Sequence, residues 1–161
     1  RASHTTLLLR STMAVPAAEE RPVLEAVLQT ADSIMTHRSR YLGTVEPAAV
    51  LDLLLTDETN PRSIAYQLVM IEGHVDQLPR DATQAVRTPD QKLALSLLNS
   101  VRLEDVFRLI GIDSDNHRPA LERLLRKLSE GIPKLSDAVS GRFLIHAGLP
   151  RHFIETGARP R

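Results

Sequence analysis

Apolar residues recur at three- and four-residue intervals along almost the whole chain, the period of a helix with one buried face. The clearest stripe is Ile64, Leu68, Ile71, Val75 and Leu78, spaced 4, 3, 4, 3. A second, Leu121, Leu125, Leu128, Ile132, Leu135 and Val139, continues the same rhythm. Both read as seams of a helical bundle. Leucine and alanine dominate, glycine numbers only 7, and β-branched runs are short.

Punctuation divides this pattern into about six helices. A weak one covers residues 3–13 and ends before Pro16, because proline disfavours helix in the residue preceding it. The second is expected over 19–40, with Val23, Leu24, Val27, Ala31, Ile34 and Met35 on its apolar face and Gly43 as a stop. A short third, 46–55, carries Pro47 in its first turn. A polar loop, Thr56-Asp57-Glu58-Thr59, then leads to Asn60 as cap and Pro61 as first helical residue, in a helix that ends at Leu78-Pro79. Residues 79–87 read as a loop. Thr88-Pro89-Asp90 repeats the cap-and-proline start, with a break expected near Arg102, a continuation to Ile110 and a stop at Gly111. The last helix is expected over 116–146, kinked near Pro133, which removes a backbone hydrogen bond and crowds the preceding turn. These elements give an all-α helical bundle, one domain over 1–147, followed by a flexible tail over 148–161.

Composition narrows the function more than the fold. The 161 residues include 42% hydrophobic and 25% charged side chains, an ordinary globular mix. Lys+Arg and Asp+Glu both number 20, so no bulk positive charge draws the chain to nucleic acid. Aromatic residues are 3% and Trp is absent, which removes a base-stacking platform. There is no cysteine, hence no disulfide, thiol chemistry or cysteine-ligated zinc. No apolar run reaches the roughly 18 residues of a membrane span. The start, Arg1-Ala2-Ser3-His4, has no signal-peptide character and reads as the beginning of a fragment. The expected setting is the cytoplasm, with no membrane or nucleic-acid partner.

Four constellations carry candidate chemistry. Asp52, Asp57 and Glu58 suit a divalent cation or acid–base work, but solvated loop carboxylates before a helix are the better reading. Thr36-His37-Arg38-Ser39-Arg40-Tyr41 sits at a helix end, where cations complement the dipole; Arg38 and Arg40, two apart, are also forked donors for an anion or an acidic partner. The six histidines, His4, His37, His74, His117, His146 and His152, include no i,i+3 or i,i+4 pair, so no metal site is expected. Ser136, Asp137, Arg142 and His146 form a polar stripe better explained by salt bridges than by a nucleophilic triad. No phosphate-binding loop, dinucleotide fingerprint or nucleophile elbow occurs. The residues therefore favour a binding or scaffolding domain, with no catalytic group and no cofactor assigned.

Three segments resemble one family. They are Ala31-Asp32-Ser33-Ile34-Met35-Thr36-His37-Arg38-Ser39-Arg40-Tyr41, then Val50 to Leu68 with Leu53-Leu54-Leu55-Thr56-Asp57-Glu58-Thr59-Asn60-Pro61-Arg62-Ser63 at its centre, then Leu135-Ser136-Asp137-Ala138-Val139-Ser140-Gly141-Arg142-Phe143. In order and content they resemble the C-terminal half of the bacterial alpha-E domain, a helical domain named for a Glu-Arg motif. Glu20-Arg21 and Glu122-Arg123 lack that motif's neighbours, so the motif itself is expected upstream of Arg1. Gly141 and Leu144 stand where larger polar or aromatic residues are expected.

The resemblance implies a context: a circularly permuted ATP-grasp ligase, encoded beside the domain or fused to it, with a transglutaminase-like or amidotransferase-like protein nearby. The implied role is an accessory domain of a peptide synthesis or modification system, binding the ligase, another protein or a peptide. Candidate binding positions are Arg38, Arg40, Tyr41, Asp57, Asn60, Arg62, Asp137 and Arg142. Two rivals remain: half of an enzyme whose polar site is completed by further helices, and a homo-oligomerising structural domain.

Overall fold

The computed structural model describes residues 1–79 and 86–144. Most of the expected 79–87 loop, and the expected tail from residue 148, lie outside the described residues.

Among the described residues the chain forms eight α-helices and one π-helical turn. They are α1 (Ala2–Met13), α2 (Glu20–Thr30), α3 (Ile34–Arg40), α4 (Pro47–Leu51), the π turn (Asp52–Thr56), α5 (Ile64–Gln77), α6 (Pro89–Arg102), α7 (Val106–Leu109) and α8 (Pro119–Leu144). The all-α class stands, and the helix number rises because two of the expected stretches are divided.

The 19–40 stretch splits at Asp32, whose φ is 50°. The Ser33 N–H donates to the Leu28 carbonyl at 2.8 Å and the Asp32 N–H to the Gln29 carbonyl at 2.9 Å. This is a Schellman ending, with aspartate in the left-handed position that glycine usually occupies. The chain turns there, so α3 does not extend the apolar face of α2. Met35, expected in the core, is 71% exposed.

The expected 46–55 helix becomes α4 and then widens into the π turn. Its leucine run has no polar face: Leu51, Leu53, Leu54 and Leu55 are all completely buried, and only Asp52 reaches solvent. A segment apolar all round belongs at the centre of a fold, and this one packs against α5 and α6. The next helix starts three residues later than the Asn60-Pro61 pair suggests. Ser63 is its cap, accepting the Tyr66 N–H at 3.0 Å. Asn60 still accepts a backbone N–H, but that of Arg62 at 3.2 Å, closing a turn. Its amide donates to the Leu53 carbonyl at 2.8 Å, satisfying an acceptor at the widened turn.

The Thr88 start of α6 is a full capping box with Gln91. The expected break after Arg102 is present, and α7 follows as a single turn. The 26-residue α8 carries Pro133 within it and is helical on both sides of the proline. It lies against α1 on one side and α6 on the other, while α6 also packs along α5. The two stripes become the core: Ile64, Leu68, Leu121, Leu125 and Leu128 are buried, with Ile71, Ile132 and Val139 packed at the margin. No helix among the described residues is long and apolar enough to cross a membrane.

Gly131 explains how α8 comes so close to α6. A Cβ there would lie 2.4 Å from Leu97 Cδ2, inside a packed interface. Replacing it with alanine gains helix propensity of about 1 kcal/mol but overpacks the interface by about 1–3 kcal/mol. Gly131→Ala is therefore expected to lower stability by about 1 kcal/mol in urea denaturation, a net of these two terms. Combining it with Leu97→Val should cost less than the sum of the two single changes.

Candidate functional site

The α3 end, the π turn and the loop before α5 bring Arg40, Tyr41, Asp52, Asp57 and Thr59 to one rim. Arg40 forms an ion pair with Asp57, and its other guanidinium nitrogen donates to Thr59 Oγ1 at 3.1 Å. Asp57 Oδ1 also accepts the Thr59 N–H and the Thr59 hydroxyl, both at 2.7 Å. Burial raises the Asp57 pKa, but the Thr59 hydrogen bonds and the Arg40 charge outweigh it, and the net direction is downward. The Ser63 hydroxyl donates to the Asp57 carbonyl, tying this loop to the α5 cap.

The Tyr41 phenol donates to Asp52 Oδ2. Burial and the neighbouring Asp52 carboxylate push its pKa upward, so the phenol keeps its proton at every physiological pH. Tyr41 and Asp52 edge a groove of about 540 Å³, with Ala48, Ala49, Val106 and Phe107 as its apolar walls. Phe107 is 74% exposed there.

The Tyr41 ring also covers His37, with centroids 4.9 Å apart. His37 is buried, its Nε2 has no hydrogen-bond partner, and burial lowers its pKa. The folded protein thus holds His37 neutral more firmly than the unfolded chain does. That contribution is complete above the unfolded pKa, about 6.5, and is lost as pH falls through the lowered folded value. Denaturation midpoints measured at pH 7 and pH 5.5 should differ more in the native protein than in His37→Phe. Equal differences would mean the ring is not what titrates.

The remaining candidate positions lie elsewhere. Arg62 pairs with Asp32 across the α2–α3 turn, and Asn60 is spent on the Leu53–Arg62 turn. Arg38 and Asp137 are exposed. Arg142 reaches Asp90 at 2.8 Å, Thr88 Oγ1 at 3.2 Å and the Pro79 carbonyl at 2.8 Å. It therefore joins α8 to α6 rather than to Asp137; His146 lies outside the described residues. Glu58, the third loop carboxylate, takes two hydrogen bonds from Arg102 at 2.6 and 2.8 Å. The described residues include no group of three His, Asp or Glu side chains placed to hold a metal ion.

Sequence patterning did not single out Phe107 or Arg118. Phe107 sits in a one-turn helix that exposes it, and such a turn has no periodicity to read. Arg118 is 1% exposed and contacts Glu20, Met13 and Ile110, partners far apart in sequence.

Among known proteins, the Alpha-E model, described as a predicted alpha-helical domain with a conserved ER motif, matches residues 1–144. Uncharacterized proteins of Mycobacterium bovis and of two Mycobacterium tuberculosis strains, CDC 1551 / Oshkosh and H37Rv, are each 27% identical over 146 residues. The match covers 89% of this chain but spans only 16% of the length of those relatives. No solved structure gives a significant match.

Proposed function

Because the chain belongs to the Alpha-E family, we propose that it is a non-catalytic interaction domain of an ATP-grasp-linked peptide synthesis or modification system, docking the ligase in the Tyr41–Phe107 groove. One observation carries this reading. The groove has apolar walls and presents a 74% exposed phenylalanine, while Tyr41 and Asp52 at its edge are engaged with each other. Exposed aromatic side chains in a concave patch are the usual anchors of protein interfaces. Arg40 neutralises Asp57, and the Tyr41 phenol is a donor held by Asp52, so neither tyrosine nor arginine is poised as a base or nucleophile. Leu103 and Leu42, 85% and 101% exposed, add apolar surface from the neighbouring loops.

An active site completed by further helices is the rival. The convergence of Arg40, Tyr41, Asp52 and Asp57 on one rim favours it, and the mutual pairing of those groups counts against it.

The test is calorimetric titration of this chain into a purified circularly permuted ATP-grasp ligase, the partner that the resemblance implies. A complex that weakens at least about tenfold in Phe107→Ala supports the reading, since interface aromatics carry most of the energy. Absence of a complex with this chain removes it. Sedimentation of the chain alone checks self-association: a dimer dispersed by the same substitution would make the groove a homo-oligomer contact instead.

A further inference from the structure

Glu104 borders a second groove, of about 520 Å³, between α6, α7 and α8. Its apolar surface comes from Leu103, Ala120 and Leu124, and its cations are Arg108, Arg123 and Lys127. Glu104 is the one carboxylate among the lining residues, so the groove is locally positive on a chain of zero formal net charge.

What sets these cations apart is their gathering around one groove. Many arginines elsewhere in the fold are paired, among them Arg10 with Glu122, Arg40 with Asp57, Arg62 with Asp32, Arg102 with Glu58, Arg118 with Glu20 and Arg142 with Asp90. Among the described residues the side chains of Arg108, Arg123 and Lys127 have no ion-pair or hydrogen-bond partner. Arg123 and Lys127 stand at i,i+4 on α8, where like charges repel and weaken the helix. Three exposed cations thus surround one groove without a carboxylate paired to any of them.

We propose that this groove binds an acidic, amphipathic segment of a separate polypeptide. Its apolar side chains would lie on Leu103, Ala120 and Leu124, and its carboxylates would meet Arg108, Arg123 and Lys127. The charges are complementary, and opposite-charge matching sets partner choice and association rate. The cations are spread over α7 and two turns of α8 rather than gathered at one point, which suits a row of carboxylates better than one phosphate. No aromatic side chain lines the groove to stack a base. The site adjoins the Tyr41–Phe107 groove, with Glu104 on both linings, but it does not depend on the ligase reading.

The test uses the 161-residue chain and two capped synthetic peptides, one with Leu and Glu at helical spacing and the other with Lys in place of every Glu. Binding is followed by amide chemical-shift mapping, with inorganic phosphate as a third titrant. The expected result is saturable shifts at Leu103, Ala120, Arg123 and Lys127 with the Glu peptide, an affinity that falls as salt rises, and no saturation with the Lys peptide. Arg123→Glu combined with Lys127→Glu should weaken the Glu peptide at least tenfold while circular dichroism stays helical. Lys92→Glu, an exposed charge outside the groove, should leave binding unchanged.

A readout without ligand guards against a peptide that simply fits badly. Arg123→Glu alone should raise the thermal midpoint at low salt, because it converts repulsive pairs with Arg126 at i+3 and Lys127 at i+4 into attractive ones. Failure of the Glu peptide to bind, equal binding of the Lys peptide, or shifts centred elsewhere each overturn the proposal. Phosphate reproducing the same shifts at comparable concentration also overturns it, as a small-anion site.

Discussion

Arg118→Ala is expected to lower stability by about 3–5 kcal/mol, the cost of removing one partner of a buried ion pair. The side chain is 1% exposed. Its guanidinium meets Glu20 at 2.7 Å, the Met13 carbonyl at 3.0 Å and the Ile110 carbonyl at 3.3 Å. Its backbone N–H donates to the Ala14 carbonyl at 2.9 Å. One residue thus closes the end of α1, the start of α2, the end of α7 and the start of α8. Alanine leaves two carbonyls unsatisfied and fills none of the space. Against a typical domain stability of about 5–15 kcal/mol, the loss removes about a fifth of the total or more. Urea denaturation at pH 7 measures it directly. Arg118→Lys should recover only part, because an ammonium cannot reproduce the three-way fork. Glu20→Gln keeps an acceptor for the guanidinium but leaves its buried charge without a counter-ion, so it too should be clearly destabilising. A loss below about 1 kcal/mol for alanine would mean that water replaces the guanidinium at little cost.

That arginine marks the limit of what sequence patterning conveys. The long seams were legible because burial follows the helical period over many residues, as in Leu121, Leu125 and Leu128. The Thr88 start was legible because its partner Gln91 lies only three residues away. The Schellman turn at Asp32 was not, since glycine is the ordinary signal for that conformation and aspartate takes it only when the surroundings demand it. Asn60 drew attention correctly as a residue with a structural duty. Which backbone N–H it meets depends on the π turn folding back onto it, a tertiary matter. At the candidate site, Arg40, Tyr41 and Asp57 stand out in sequence by their neighbours and lie near one another in the fold. Asp137 and Arg142 share a helix with no contact between them in the structure's ion pairs, because Asp90 offers Arg142 a buried carboxylate that a one-dimensional reading places far away.

The second large effect follows from that pair. Asp90→Ala is expected to cost about 3 kcal/mol, the lower end of the range for a broken buried pair, because Arg142 retains 22% side-chain exposure. Asp90 stands in the first turn of α6, where a negative charge also complements the helix dipole. Burial raises its pKa; the Thr88 hydrogen bond, its own backbone N–H and Arg142 outweigh that and bring the net value down. A carboxylate lowered in the folded state binds protons less readily there than in the unfolded chain. Its contribution is therefore complete above the unfolded value, about 3.9, and is lost as pH falls through the folded one. Asp57 and Glu58 are lowered too and act in the same acid window, so the native curve alone cannot apportion the loss. The difference between native protein and Asp90→Ala isolates it: the gap in unfolding free energy should be constant from pH 7 to 5 and shrink as pH drops below about 4. A gap that persists to pH 2 would assign the cost to lost packing rather than charge. Because Arg118 and Arg142 hold opposite ends of α8, the Asp90 change should loosen the α6–α8 contact from one end only. Gly131→Ala, whose cost arises where α8 presses on Leu97, should therefore be less damaging in the Asp90→Ala background than in the native protein.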